Sequence, residues 1–167
     1  MKIVIREEQP EDRSAIRIVN EAAFGCLDEA DLVESLRTEG VVLLSLVAEV
    51  EGRVAGHILF SRMSIETPAG SVAAASLAPM SVLPDFQRRG LGSKLIEEGL
   101  SRLRNRGEAI VIVLGHKDYY PRFGFSVAGT RDLESPFPPD AYMALELSAG
   151  ALKGVRGRVK YPAAFGL

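Results

Sequence analysis

Apolar positions along the chain recur with the periods of both strands and helices. Apolar runs, β-branched or alternating with polar residues, predict strands over residues 2–7, 41–50, 53–65, 71–83 and 109–114, with later candidates at 125–128, 141–147 and 155–161. Helical spacing and capping signals predict a helix that starts at Pro10 and breaks into a loop over 20–28, then helices over 29–38, 89–106 and 118–123. This order predicts an α/β or α+β domain with a mixed central sheet flanked by helices.

Pro79 interrupts the strand predicted over 71–83. Proline has no N–H to donate to a sheet ladder, so it favours a β-bulge or a local edge at this point. The preceding pair of strands is joined at Glu51-Gly52, which is a hairpin signal.

Composition narrows the class of protein. A chain of 167 residues is the size of one domain, so we expect residues 1–167 to form a single domain. The net charge of −2 gives no general electrostatic reason to bind nucleic acid or membrane. Cys26 is the only cysteine, and the N-terminus does not resemble a signal peptide. We therefore expect a cytoplasmic protein without disulfides.

A phosphate site is predicted where the strand over 71–83 turns into the helix over 89–106. The first N–H groups of a helix lack internal partners and favour an anion. Gly90 and Gly92 allow the backbone to approach a ligand, and Arg88 and Arg89 add positive charge. Neither a Walker A sequence nor a G-x-G-x-x-G dinucleotide sequence occurs here, which excludes the two better-known phosphate loops.

The segment Q-R-R-G-L-G at 87–92 resembles the pyrophosphate loop of the GNAT (general N-acetyltransferase) superfamily, and V-L-P-D-F before it resembles the strand end leading into that loop. The resemblance implies acetyl-CoA as cosubstrate, no metal, and a central strand pair that splays apart after a bulge, for which Pro79 is the candidate. It implies that the pantetheine and acetyl group contact Met80, Ser81 and Val82. It implies that the pyrophosphate is held by the loop residues Gln87, Arg88, Arg89, Gly90, Leu91, Gly92 and Ser93.

A second resemblance lies in Y-Y-P-R-F-G-F at 119–125, because family members commonly carry a tyrosine four residues before a Gly-Phe pair. Tyr120 holds that position, and the resemblance implies that it is the general acid for the departing thiolate. A phenol with a pKa of about 10 is protonated at neutral pH and can donate that proton. We expect the neighbouring Tyr119 to pack in the core instead.

The general base is left open by the sequence. The strand over 109–114 is followed by Gly115-His116, without the asparagine common in the family and without a carboxylate. A lysine amine of pKa about 10.4 is neutral in only about one molecule in 2,500 at pH 7, so a base is needed. The candidates are His116, an acid near Glu29 such as Glu21 or Asp28, and a water relay that Ser81 could orient. His57 is expected to be structural.

The expected function is transfer of an acetyl group from acetyl-CoA to a primary amine of a small molecule or protein by direct attack. Two alternatives stay open: a regulatory acyl-CoA-binding domain without catalysis, and an acyltransferase that uses longer acyl-CoA or an acyl carrier protein. The sequence identifies neither the amine acceptor nor the oligomeric state, which is expected to be a monomer or homodimer.

Overall fold

The computed structural model describes all 167 residues as one eight-stranded sheet flanked by three α-helices, with short 3₁₀ turns between them. The strands are β1 (Ile3–Glu7), β2 (Val42–Val50), β3 (Arg53–Thr67), β4 (Gly70–Val82), β5 (Ile110–Leu114), β6 (Leu133–Glu134), β7 (Tyr142–Glu146) and β8 (Gly157–Lys160). The helices are α1 (Arg13–Phe24), α2 (Asp28–Glu39) and α3 (Leu91–Asn105).

The sheet is mixed, as predicted. Its main path runs β1-β2-β3-β4-β5-β7, in which only the β4–β5 pair is parallel. Successive side chains of a strand point to opposite faces. Phe60 of β3 therefore packs with α3, whereas Leu59 packs with α1 and α2 on the other face. The helices thus cover both faces of the central strands.

The first and third helices differ from the sequence prediction at their ends. Helix α1 continues through Phe24 rather than breaking at Asn20, and it ends where Gly25 adopts a left-handed backbone (φ 72°). Helix α3 begins at Leu91, two residues later than predicted, because Gly90 is also left-handed (φ 83°) and precedes the first helical residue.

The predicted bulge and strand splay are both confirmed. In the β3–β4 ladder Ile58 pairs with Met80 and Phe60 pairs with Leu77, so one residue of β3 faces Ala78-Pro79 of β4. Strand β4 pairs with β5 only through Ala75 and Ser76. From Leu77 onward the two strands are no longer paired, which opens a gap at the end of β4.

The prediction of a strand over 125–128 is wrong. Ser126 forms a single bridge with Ala144, and the chain then turns through Ala128–Thr130. The Thr130 hydroxyl, with one proton to donate, lies 2.8 Å from the Val127 carbonyl oxygen within this turn and 2.9 Å from the Tyr142 carbonyl oxygen, so a local side-chain bond competes with strand pairing here. The segment predicted as a helix over 118–123 forms only a 3₁₀ turn, Tyr120–Phe123.

Candidate active site

The gap between β4 and β5 opens into a cavity of about 550 Å³ that is bounded by the end of β4, the start of α3 and the last turn of α1. Of the residues implied by the sequence resemblance for cofactor binding, all except Arg89 line it: Met80, Ser81, Val82, Gln87, Arg88, Gly90, Leu91, Gly92 and Ser93. We call the part formed by residues 87–93 the loop end, and the part formed by Ala23, Phe24 and Ser81 the sheet end.

The loop end presents unpaired backbone N–H groups. The first α-helical backbone bond of α3 runs from the Lys94 N–H to the Gly90 carbonyl, so the amides of Leu91, Gly92 and Ser93 have no partner within the helix. The Gln87 side chain donates to the Val82 carbonyl at 3.0 Å, which ties this loop to the end of β4. Together with the helix dipole, these amides form an anion site.

Two arginines of the loop lie differently. Arg88 lines the cavity and has a left-handed backbone (φ 62°). Arg89 lies outside the cavity, with its guanidinium 5.8 Å from the centre of the Phe86 ring. Both side chains are exposed. The roles of these loop residues in cofactor binding, including that of Arg89, stay predictions.

The two tyrosines exchange the packing expected for them. Tyr120 is 8% exposed and packs edge-on against Phe125 in the main core, and its hydroxyl makes no hydrogen bond. Tyr119 is partly buried and lines the cavity, with its hydroxyl 3.3 Å from Ser93 Oγ. The expectation that Tyr119 is the core residue of the pair is wrong, because the Tyr120 ring fills the space above Gly115, where even a Cβ atom would lie 2.3 Å from it.

Burial changes the acidity of Tyr120. Loss of solvent around the ring, with a smaller effect from the neighbouring Tyr119, raises the pKa of Tyr120 to about 12. Its phenol is therefore protonated at neutral pH. The ring centroids of Tyr119 and Tyr120 lie 5.3 Å apart in an edge-to-face arrangement, so a movement of one ring changes the packing of the other. The role of Tyr120 as general acid stays a prediction.

None of the histidine and carboxylate candidates for the base, His116, Glu21, Asp28 and Glu29, lines the cavity. His116 is exposed and lies outside it. Glu29 accepts from the Cys26 thiol, and Glu21 pairs with Arg17 at 2.8 Å. The cavity is lined by no carboxylate and no histidine. Ser81 lines the cavity, but this residue is only 3% exposed and its hydroxyl oxygen is buried without a hydrogen-bond partner.

Several cavity residues were missed by sequence reasoning. Ala23 and Phe24 come from the last turn of α1, and Phe86 and Arg122 come from the two 3₁₀ turns beside the cavity. Phe24 keeps 44% of its surface exposed at the sheet end of the cavity. A short apolar helix end carries no motif, so no sequence signal pointed to these residues.

Two general features complete the description. No helix of the chain combines the length and apolar character needed to cross a membrane. The structure gathers no group of three or more His, Cys, Asp or Glu side chains that could hold a metal ion.

Comparison with known protein families gives a match over most of the chain. Residues 5–128 match the family model described as an acetyltransferase (GNAT) domain. The chain is 43% identical over 137 residues to the uncharacterized N-acetyltransferase YjhQ of Escherichia coli K12, a stretch that covers 80% of this chain and 76% of that protein. It is 35% identical over 162 residues to the uncharacterized N-acetyltransferase YhbS of the same organism, which covers 95% of this chain and 96% of YhbS.

Two solved structures with similar folds contain CoA or acetyl-CoA. The crystal structure of Escherichia coli YhbS in complex with CoA superimposes with a TM-score of 0.92 and 34% identity, over 100% of this chain and 93% of that one. A GNAT family acetyltransferase from Brucella melitensis in complex with acetyl-CoA gives a TM-score of 0.83 and 37% identity, over 98% of both chains. Both resemblances span the loop end and the sheet end of the cavity.

Proposed function

The chain belongs to the GNAT family of acetyltransferases, and from this membership we propose that it transfers the acetyl group of acetyl-CoA to a primary amine by direct attack. The observation that carries the proposal is a single cavity that joins the free amides at the start of α3 to the splayed end of β4. An anion site and an unpaired strand edge in one cavity suit a long ligand with a phosphate group at one end and an acyl group at the other.

Different residues of the cavity would bind different parts of acetyl-CoA. The amides of Leu91, Gly92 and Ser93, with Arg88 beside them, would hold the pyrophosphate. Beyond the β4–β5 pairing, the backbone groups of Met80, Ser81 and Val82 would pair with the pantetheine. An N–H group there would also polarise the acetyl carbonyl, as in an oxyanion hole. When bound, acetyl-CoA supplies an activated acyl carbon and a thiolate leaving group.

In this proposal, either Tyr119 or Tyr120 donates the proton to that thiolate. Tyr120 holds the position that the family resemblance implies, and its raised pKa keeps the phenol protonated. Tyr119 is the member of the pair that lines the cavity. A general acid must come within hydrogen-bond reach of the leaving group, either directly or through one water. Substitution of each hydroxyl separately, described below, distinguishes them.

The test is a CoA-release assay with acetyl-CoA and a panel of small primary amines, peptides with free N-termini and peptides with lysine. We expect CoA to be released at a rate that depends on one class of amine, with acetylation of that amine confirmed by mass. A series of acyl-CoAs of increasing length should give the largest kcat/KM with acetyl. Binding of acetyl-CoA without transfer to any amine, or a preference for long acyl chains, would contradict the proposal.

A further inference from the structure

The cavity reaches both faces of the sheet. Gly99 of α3 packs closely against the Phe60 ring of β3, whereas the Asn20 amide nitrogen of α1 lies 3.2 Å from His57 Nδ1 on the opposite face of the same strand. The first turn of α3 and the last turn of α1 both line the cavity, so it connects the two faces through the gap beyond the β4–β5 pairing. A cosubstrate with its pyrophosphate at the start of α3 enters from the α3 face, which leaves the α1 face to the acceptor.

The wall on the α1 face is apolar. Ala23 lies one turn after the buried Val19 and extends the inward side of α1 into the cavity, and Phe24 ends the helix beside it. Met80 and Val82 of β4 add two more apolar residues to the lining. Phe24 is exposed and belongs to none of the buried hydrophobic clusters. An apolar group of the acceptor that covered this wall would leave water, which favours its binding.

The fixed charges around the cavity are positive. Arg88 and Arg122 line it. The guanidinium groups of Arg53 and Arg89 lie 5.7 and 5.8 Å from the centre of the Phe86 ring, which is also part of the lining. None of these four arginines forms an ion pair with a carboxylate. An acceptor with a second ammonium group, such as a polyamine, would therefore find no acidic partner in this cavity.

No carboxylate or imidazole is placed to take a proton from the acceptor. The acids at the end of α1 and the start of α2, which are Glu21, Asp28 and Glu29, all lie outside the cavity. His116 lies outside it as well, and His57 is completely buried with a hydrogen-bond partner at each ring nitrogen. The titratable side chains of the lining are those of Arg88, Tyr119 and Arg122. The side chains that most often act as bases are thus missing from the lining.

The basicity of the amine then decides how much of it can react. A lysine ε-amine with a pKa of about 10.4 is neutral in only about one molecule in 2,500 at pH 7, whereas an α-amine with a pKa of about 7.7–8.0 is neutral in roughly a tenth to a fifth of molecules. Burial in an apolar cavity near positive charges also favours the neutral form of a bound amine. Without a base, the α-amine is favoured by roughly 10²-fold or more in its reactive form.

We propose that the acceptor is an α-amine next to an apolar side chain, and that it binds in its neutral form at the sheet end, with the apolar side chain against Phe24. This inference rests on the proposed acetyl transfer and names its acceptor. The amine nitrogen bonds to the acetyl carbon as the carbon–sulfur bond breaks. The departing thiolate gains a proton from the tyrosine pair, and the new amide nitrogen loses one to water, which restores the phenol. Small amino-acid derivatives and protein N-termini both offer this chemistry.

The substrate test compares amines that differ in one feature at a time. The probes are two tetrapeptides that begin with Leu or Ser and are otherwise identical, leucinamide, and an Nα-acetylated lysine amide that offers only its ε-amine. At pH 7 we expect kcat/KM to be roughly tenfold higher for the Leu than for the Ser peptide, and roughly 10²-fold higher for leucinamide than for the ε-amine. Equal values with Leu and Ser, or a preference for the ε-amine, would overturn the proposal. A large gain from leucinamide to the Leu peptide identifies a protein N-terminus as the source, and no gain identifies a small molecule.

The pH dependence gives a second test. With no base in the cavity, the acid limb of kcat/KM follows the neutral fraction of the acceptor. Its midpoint should therefore lie near pH 8 for leucinamide and above pH 10 for the ε-amine, as their pKa values differ. A midpoint that stays at the same pH for both amines would reveal a base on the enzyme and would overturn the proposal.

A pair of variants on α1 tests the apolar wall. Phe24→Ala should lower kcat/KM for the Leu peptide roughly tenfold, with little change for the Ser peptide and unchanged acetyl-CoA affinity. Ile18→Ala is the control, since Ile18 is an exposed apolar residue of the same helix that does not line the cavity. If the two variants behave alike, or if Phe24→Ala weakens acetyl-CoA binding instead, the wall does not select the acceptor.

A measurement without turnover uses the complex of the enzyme with CoA. Titration calorimetry with leucinamide at pH 7, in two buffers of different ionisation enthalpy, gives the number of protons released on binding. An α-amine is about 80–90% protonated at this pH, so binding in the neutral form should release about 0.8–0.9 proton. Release near zero, or no binding, would overturn the proposal. Failure of the parent to acetylate any amine would instead contradict the proposed function, whatever the number of protons released.

Discussion

The two ends of the cavity are formed by different chemical groups. The loop end consists mainly of backbone amides and glycines within residues 87–93, with Arg88 beside them. The sheet end consists of residues from α1 and β4, and in the sheet beside it hydrogen bonds link His57 to Ser45 and Ser45 to Glu8. The first is a local structure and the second is an assembly of distant segments.

This difference separates what each end can do. A helix start can hold an anion whatever side chains it carries, because the N–H groups and the dipole supply the attraction. Proton transfer, by contrast, needs particular side chains in particular protonation states, and each must be held in place by a neighbour. The loop end therefore suits a ligand with a phosphate group, as in CoA, whereas the choice of acceptor depends on side chains elsewhere in the cavity.

The largest expected effect comes from the tyrosine pair, of which Tyr119 lines the cavity and Tyr120 lies in the core behind it. Removal of the donor hydroxyl should lower single-turnover acetyl transfer roughly 10²–10⁴-fold, the range for a lost general acid. Tyr120→Phe and Tyr119→Phe keep the ring and remove only the hydroxyl, so packing is preserved. Rapid-quench measurement with acetyl-CoA affinity in parallel identifies the donor. If neither variant is slowed when chemistry is limiting, the acid is not a tyrosine of this pair.

The same variants can be distinguished by pH. Burial raises the pKa of Tyr120 to about 12, so a rate that depends on this phenol should hold through pH 10 and fall only near pH 12. The free energy of unfolding depends on pH in the same direction. Neutral Tyr120 contributes fully to it below about pH 10, the pKa of an unfolded tyrosine, and this contribution is lost as the pH rises through about 12. Tyr120→Phe should therefore be less sensitive to alkaline unfolding than the parent, as followed by circular dichroism. Equal sensitivity would contradict the burial argument.

A substitution at Gly90 should separate the loop end from the rest. Gly90 is left-handed, and a Cβ there would meet no protein atom within 4 Å but would project into the cavity. Gly90→Val should lower acetyl-CoA affinity by roughly 10²-fold or more, because loss of even two charge-assisted hydrogen bonds has this effect. Gly107→Val is the control, since Gly107 has the same backbone strain and open space beyond the other end of α3. Similar affinity in the two folded variants would show that strain, not the loop, is responsible.

Sequence reasoning succeeded where the determining residues are contiguous. The loop end lies within one short segment, and the bulge could be located because Pro79 cannot donate to the ladder. Reasoning was less successful where packing decides. Which of two adjacent tyrosines faces the cavity depends on the space above Gly115, which only the folded chain defines. The link from His57 to Glu8 was missed for the same reason, because residues 8, 45 and 57 become neighbours only through strand register.

Substitution of Gly99, farther along α3, should lower stability rather than acetyl-CoA affinity, the opposite of what is expected at Gly90. A Cβ at Gly99 would lie 2.5 Å from Cε2 of the buried Phe60, so the ring would have to move. Overpacking of this kind typically destabilises by about 1–3 kcal/mol, and the better helix propensity of alanine offsets up to about 1 kcal/mol. Gly99→Ala should therefore lower the free energy of unfolding with little change in acetyl-CoA affinity. A loss of affinity as large as that of Gly90→Val would mean that the whole helix, not its first turn, sets the loop end.

The smallest expected effect tests whether the Tyr119 hydroxyl belongs to the loop end. A Cβ at Gly92 would lie 3.1 Å from that hydroxyl and 3.4 Å from the end of the Met80 side chain, so Gly92→Ala requires a shift of a few tenths of an ångström. We expect acetyl-CoA affinity to fall roughly three- to tenfold, which corresponds to about 1 kcal/mol. In a Tyr119→Phe background the closest contact is gone, so the same substitution should have a smaller effect. A double-mutant cycle measured by titration calorimetry gives the coupling directly. Coupling near zero would mean that the Tyr119 hydroxyl leaves the loop end when acetyl-CoA binds.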